Sequence, residues 1–359
     1  MKQLSLAALS ASLMLALAVT PVQAESLTEA HASYQKAIAQ NDTANALKFA
    51  EQSHEIGVAQ LPADDISLAN LKINWANLLA EQSKAQKTKA LALYQAALSI
   101  YRQHYAEDAI ELIDVLIPIG NVATEGKIIK EAMYEAIDIA EQSGNELLHA
   151  STKIDAFSAV AKTRFYSKKV QQWVFSAFDT YQKLYPEDSL ERVEAEYLVA
   201  SIHYSRKQYN QAIKHYSNVI KQMQVLDFTH PYELHSHSIM VQIFESKGDS
   251  EQATEHCLAI GKMTPWNENQ EQTPLYRVHP EYPLNYAKRG KEGWVSFDLV
   301  VDENGFVKNL EVRDSEGGQK FVKESIKAIK QWRYAPKFEN GKPVPAQTTV
   351  QLDFTLSRS

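Results

Sequence analysis

The sequence predicts a multidomain chain, an all-α solenoid of stacked helical hairpins followed by a small α+β domain with an antiparallel sheet and one helix. Three observations predict it. From about residue 28 to residue 263, apolar residues recur at three- and four-residue spacing and glycine is sparse, the pattern of amphipathic helices. Parts of that stretch resemble one another at a fixed offset of about 40 residues, the mark of a repeat array. After Met263 the periodicity changes to two, punctuated by Asn-Gly turns, as strands and hairpins require.

At 359 residues the chain can bury more than one core, and its formal net charge of −7 argues against wholesale binding of nucleic acid. Its start, MKQLSLAALSASLMLALAVTPVQA, has a positive end at Lys2, an apolar run from Leu4 to Val19 and small residues around Ala24. This is the form of a secretory signal peptide spanning residues 1–24, cleaved after Ala24. Retained, the same segment would be a membrane anchor. A cleaved leader delivers the mature chain to an oxidising space, yet Cys257 is the single cysteine, so no internal disulfide can form. Its helical setting (HCLAI) suits a buried apolar group.

Residues 25–263 are read as the helical array. The stretch 196–220 aligns with 237–260, pairing Tyr204 with Phe244 and Ala212 with Ala253. Each copy reads helix, short polar turn, helix, with a small alanine where the helices must approach closely. Residues 68–82 and 89–105 form a related pair in which Ala92, Tyr94, Ala96 and Ala97 supply a small-plus-aromatic face, and 131–146 reads as another second helix. These units resemble the tetratricopeptide repeat family, in which paired helices stack and present a face for protein partners. About four to six pairs are expected.

Residues 264–273 are polar with flanking prolines and read as a linker. Beyond it, residues 293–301 alternate as a strand, Asp302 to Gly305 makes a hairpin turn in which Asn304 and Gly305 tolerate positive φ, and 306–312 returns. Lys320 to Tyr334 reads as a helix burying Phe321, Ile326, Ile329 and Trp332. Asn340 to Pro343 turns again, and Gln347 to Leu356 is a final strand. Pro283 marks a boundary because it cannot donate to a ladder. Gly290 and Gly293 permit tight passage into the strand. Trp332 is expected on the sheet, Arg333 and Tyr334 at the helix end where a cation suits the dipole, and Pro336 as the stop.

In this order and spacing, Tyr282-Pro283, Ala287, Gly290, Gly293-Trp294-Val295, Asp302 to Gly305, Ser315 and Trp332-Arg333-Tyr334-Ala335-Pro336 resemble the carboxy-terminal domain of the TonB family over about residues 272–357, and the domain is set at residues 274–359. The resemblance implies a job for the last strand, which in that family accepts an extended segment of an outer-membrane receptor by strand addition. The residues concerned are Thr348, Thr349, Val350, Gln351, Leu352, Asp353, Phe354 and Thr355. The family's second region of receptor contact falls here on Tyr276, Arg277, His279 and Tyr282. By residue pattern, Val350, Leu352, Phe354 and Leu356 face inward and Thr349, Gln351, Asp353 and Thr355 outward.

The chain departs from the family's energy transducers in three ways, the first being that a helical repeat array stands where they have a spacer. Its leader contains no histidine, and its 12 prolines are scattered, with no long proline-rich spacer. The expectation is therefore a periplasmic interaction protein of TonB-dependent transport, binding a receptor or periplasmic protein. The alternatives are an inner-membrane-anchored transducer driven by an ExbB–ExbD-type motor, or a cell-envelope scaffold that forms a homodimer through its last strand. No GxSxG, P-loop, GxGxxG or HExxH motif is present, so no enzyme activity, cofactor or metal site is expected. Of eleven histidines, His230, His235 and His237 cluster, but on a helix His235 and His237 would point about 200° apart. They are read as part of a connecting loop.

Overall fold

The structure, a computed structural model, describes residues 26–224, 229–263 and 274–356. The leader at residues 1–24 and the linker at 264–273 therefore lie outside the described residues. The fold is an all-α array of tetratricopeptide-like helical pairs followed by a small α+β domain. The described residues form two compact units, the first reaching to Ile128 and the second starting at Ile129.

The first unit holds α1 (Leu27–Ala39), α2 (Thr43–Gln60), α3 (Ile66–Ala80), α4 (Lys84–His104) and, after a 3₁₀ turn at Ile110–Leu112, α5 (Ile113–Val122). The helices start where side chains can satisfy their free amides. Ser26 and Glu29 form a reciprocal capping box at α1, and Asp42 and Asp65 cap α2 and α3. Helix α3 packs on α4 through Trp75, Leu79, Tyr94 and Ala97, and the Tyr94 and Tyr101 hydroxyls donate to Asn77 and Asn70. Ala92 and Ala96, expected on the packing face, are exposed; Ala90 and Ala97 take that role because they share a face with Tyr94 and Tyr101.

α6 (Gly126–Gln142) leads into the second unit, followed by α7 (Glu146–Val160), α8 (Lys168–Leu184), α9 (Leu190–Ser205), α10 (Tyr209–Met223), α11 (Pro231–Lys247) and α12 (Ser250–Lys262). Ala212 and Ala253, aligned in the sequence, are both fully buried early in the second helix of their pairs. Their shared cluster contains Tyr216, Ile243, Phe244 and Cys257. Cys257 is buried, and burial pushes its thiol up to about 11. His235 and His237 sit within α11, not in a loop, because Pro231 occupies its first turn and His230 caps it. Buried His237 shares a hydrogen bond with His256 of α12, Nδ1 to Nδ1, at 2.7 Å.

The carboxy-terminal domain comprises β1 (Pro274–Tyr276), α13 (Leu284–Ala287), β2 (Gly293–Val301), β3 (Val307–Glu316), α14 (Gln319–Ile329), β4 (Arg333–Tyr334), β5 (Lys337–Glu339), β6 (Lys342–Val344) and β7 (Ala346–Phe354). Its main sheet has the antiparallel order β3-β2-β7. Helix α14 buries Phe321, Val322 and Ile329 against the inward residues of β2, namely Val295, Phe297, Leu299 and Val301. Gly293 is required where it stands, since a Cβ there would strike the Glu316 carbonyl. At the first turn only Gly305 takes positive φ (82°), while Asp302 Oδ1 accepts from the amides of Asn304 and Phe306. At the second, Asn340 and Gly341 both lie at positive φ, as a two-residue hairpin needs.

Two expectations about KQWRYAP are corrected. The helix ends at Ile329, five residues before Tyr334, and Arg333 and Tyr334 form β4, paired with β1. Arg333 therefore serves no helix dipole. The turn at Lys330 and Gln331 redirects the chain so that Trp332 covers the sheet, with its Nε1 donating to the Val278 carbonyl at 2.9 Å.

Replacing Trp332, 2% exposed, with Ala is expected to destabilise the small domain by about 3–5 kcal/mol in urea unfolding. The His237–His256 pair gives a pH prediction. Burial, and for His237 also the neighbouring His256, pushes both down to about 4 from an ordinary value of 6.5. The unfolded chain then binds protons first, so stability is full above pH 6.5 and falls as pH drops toward 4. This pair alone is expected to contribute an uptake of about two protons on unfolding across the window, and His256→Gln to lower the total uptake.

Candidate functional site

The candidate site is the free edge of β7. This strand pairs residue for residue with β2, from Gly293 opposite Phe354 to Val301 opposite Ala346, with no shift of register. Among the described residues nothing pairs with its other side. The strand ends at Phe354 and not at Leu356, so Thr355 lies beyond it, and the Leu356 amide instead donates to Glu292 Oε1 at 2.7 Å.

Which backbone groups are vacant follows from the hairpin. The Asp302 amide donates to the Phe306 carbonyl, so even-numbered residues of β2 turn their backbone groups toward β3 and odd-numbered ones toward β7. The extra residues of the β2–β3 pairing fall in β3, leaving that alternation in β2 intact. Opposite the odd residues stand Ala346, Thr348, Val350, Leu352 and Phe354. It follows that Gln347, Thr349, Gln351 and Asp353 direct their amides and carbonyls outward. Their side chains are also exposed, whereas Thr348, Val350 and Leu352 are half-buried and Phe354 is buried. Phe354 anchors the strand by stacking on Phe321 at 4.2 Å and meeting Tyr282 edge-on.

The opposite edge, β3, differs in each respect that makes an edge receptive. It carries Lys308, Glu311, Arg313, Asp314 and Glu316, its register shifts twice, and Asn309 sits at φ 46°. Charges and bulges of this kind blunt an edge against pairing. Strand β7 has one charge, Asp353, which accepts from Gln351 Nε2 at 2.8 Å. A visiting strand thus finds one regular, nearly neutral edge and one irregular, charged edge.

The residues expected as a second contact region divide. Arg277 and His279 are exposed, with the Arg277 guanidinium 5.4 Å from the centre of the Trp332 ring. Tyr276 is engaged within the chain: it pairs with Arg333 through β1–β4 and packs on the core of α9 to α12. Tyr282 packs on Phe321 and Phe354, with its hydroxyl on the Lys291 carbonyl. Pro283 precedes α13, Gly290 turns at φ 61°, and Pro336 is buried between β4 and β5. Tyr334 is buried, which pushes its hydroxyl up to about 12.

Sequence reasoning missed Glu245, Thr254 and Gly261. Arg333, 1% exposed, pairs with Glu245 of α11 through Nη1, donates from Nη2 to Thr254 Oγ1 of α12 and the Asn304 carbonyl at 2.9 Å each, and lies 3.8 Å over Phe306. A partner 88 residues away leaves no local signal. Among the described residues no group of three or more His, Cys, Asp and Glu is placed to hold a metal ion.

Residues 278–356 match the family described as Gram-negative bacterial TonB protein C-terminal. Protein TonB of Vibrio cholerae serotype O1 is 31% identical over 80 residues, 22% of this chain and 33% of that protein. Protein tonB2 of Pseudomonas aeruginosa is 30% identical over 83 residues, 23% of this chain and 31% of that protein. The match thus spans about a third of the length of these relatives. Among solved structures, the apo form of RapI superposes with a TM-score of 0.52 at 14% identity, over 66% of this chain and 64% of that one, a likeness of fold alone.

The alternation of the β7 ladder predicts opposite outcomes for two prolines. Gln351→Pro removes an outward amide and should leave the domain folded. Thr348→Pro removes a β2–β7 hydrogen bond and should cost at least about 1 kcal/mol. Thermal unfolding of the two variants distinguishes them.

Proposed function

We propose that this chain, whose carboxy-terminal domain is of the TonB type, is a periplasmic interaction component of TonB-dependent transport. In this reading an extended segment of an outer-membrane receptor adds to the outer edge of β7. The observation that carries it is the run of outward amides and carbonyls at Gln347, Thr349, Gln351 and Asp353, regular in register and nearly free of charge. Strand addition draws affinity from main-chain bonds and selectivity from alternate side chains. Half-buried Val350 and Leu352, packed against the domain core, offer apolar surface on one face of the incoming strand. A segment alternating apolar and polar residues fits them. Arg277 and His279 are the exposed remainder of the second contact region.

The helical pairs would act as a protein-binding scaffold, with residues 25–263 and 274–359 as the two modules. The periplasmic placement rests on reading residues 1–24 as a leader. No helix of the described residues is long and apolar enough to cross a membrane.

A photo-crosslinking residue at Thr349 in intact cells tests this reading. The expected product is a covalent adduct with an outer-membrane receptor, lost in the Gln351→Pro background. Adducts with copies of this chain alone would overturn it in favour of a self-associating scaffold, and no adduct at all would count against any strand-accepting role.

A further inference from the structure

We infer that the last helical pair, α11–α12, holds the strand-accepting domain as one rigid body, so that Glu245, Thr254 and Gly261 are positioning residues for the β7 edge. Three independent contacts carry this. The first is the buried Arg333 guanidinium, whose donors are divided between the helices (Glu245, Thr254) and the hairpin turn (Asn304). The second is β1, which pairs with β4 of the domain while Leu275 and Tyr276 pack into the helical core of Ile239, Phe244 and Cys257.

The third is close backbone approach. A Cβ at Gly261 of α12 would come within 2.5 Å of the Pro336 carbonyl and 2.8 Å of the Phe338 ring. Gly305 is held tightly by the Tyr334 carbonyl within the domain itself, and the same turn lies in van der Waals contact with Cys257 of α12. Surfaces that meet without space for one methyl group are packed as interiors are, not as domains joined by a tether. The arrangement also has a consequence for force. A pull on a strand bound at β7 passes through β2 to the Gly305 turn and β4, and from Arg333 into α11 and α12. The helical array would receive it directly, whatever residues 264–273 do.

Gly261→Ala is the sharp probe, because alanine favours the helix while its methyl group obstructs the junction. Spin labels at Ser217→Cys on α10 and Glu311→Cys on β3 occupy exposed positions, and native Cys257 is fully buried and stays unlabelled. In the otherwise unaltered full chain, pulsed electron paramagnetic resonance should give one narrow distance distribution. With Gly261→Ala the distribution should broaden while helix content is retained, and Glu245→Gln should broaden it as well. A broad distribution without either substitution, or an equally narrow one with Gly261→Ala, overturns the inference. Should Glu245→Gln not fold, Gly261→Ala decides the matter alone. The measurement needs no partner, so its failure leaves the strand-addition reading to be judged on its own.

Discussion

Arg333 is the residue on which the carboxy-terminal half of the molecule depends. Its charge is almost fully withdrawn from water, so it is tolerable only where the guanidinium fork finds partners. Glu245 supplies the opposite charge, Thr254 and the Asn304 carbonyl take two further donors, and Phe306 lies beneath the plane. Removing one member would strand a buried charge, a far larger cost than the net stabilisation the intact pair gives. The small domain is thus built for its neighbouring helices as much as for itself.

That constraint explains why the chain turns after Ile329 and does not extend its helix. Continuing α14 would carry Arg333 away from α11 and Trp332 off the sheet. The turn at Lys330 and Gln331 instead sets Trp332, Arg333 and Tyr334 in sequence as sheet cover, junction anchor and strand partner. With β4 fixed, Gly305 and the β2–β3 hairpin are fixed through the Tyr334 amide, which donates to the Gly305 carbonyl at 2.9 Å. Strand β2 then sets the register of β7. The vacant edge is the last member of a series of contacts that begins in the helical array.

Much of this is legible in the sequence. Ala212 and Ala253 mark close helix approach, the Asn-Gly turns mark the hairpins, and the alternation of Val350, Leu352 and Phe354 gives the inward face of β7. The departures share a cause. Helical periodicity in KAIKQWRY continues past the point where tertiary contacts end the helix, because the attraction of Glu245 for Arg333 acts across 88 residues and leaves no periodic trace. Tyr276 looks available for the same reason, since nothing local reveals a helical core waiting for it. His235 and His237 read as a loop because the Pro231 that opens α11 serves equally well as a breaker.

Strand β7 is paired on one side only among the described residues, and residue-resolved amide hydrogen exchange in the full chain measures this directly. Fast exchange at Gln347, Thr349, Gln351 and Asp353, with protection at Thr348, Val350 and Leu352, is the predicted pattern. Protection of the odd-numbered amides in the free monomer would mean the edge is already occupied, and would contradict a strand that waits for a partner.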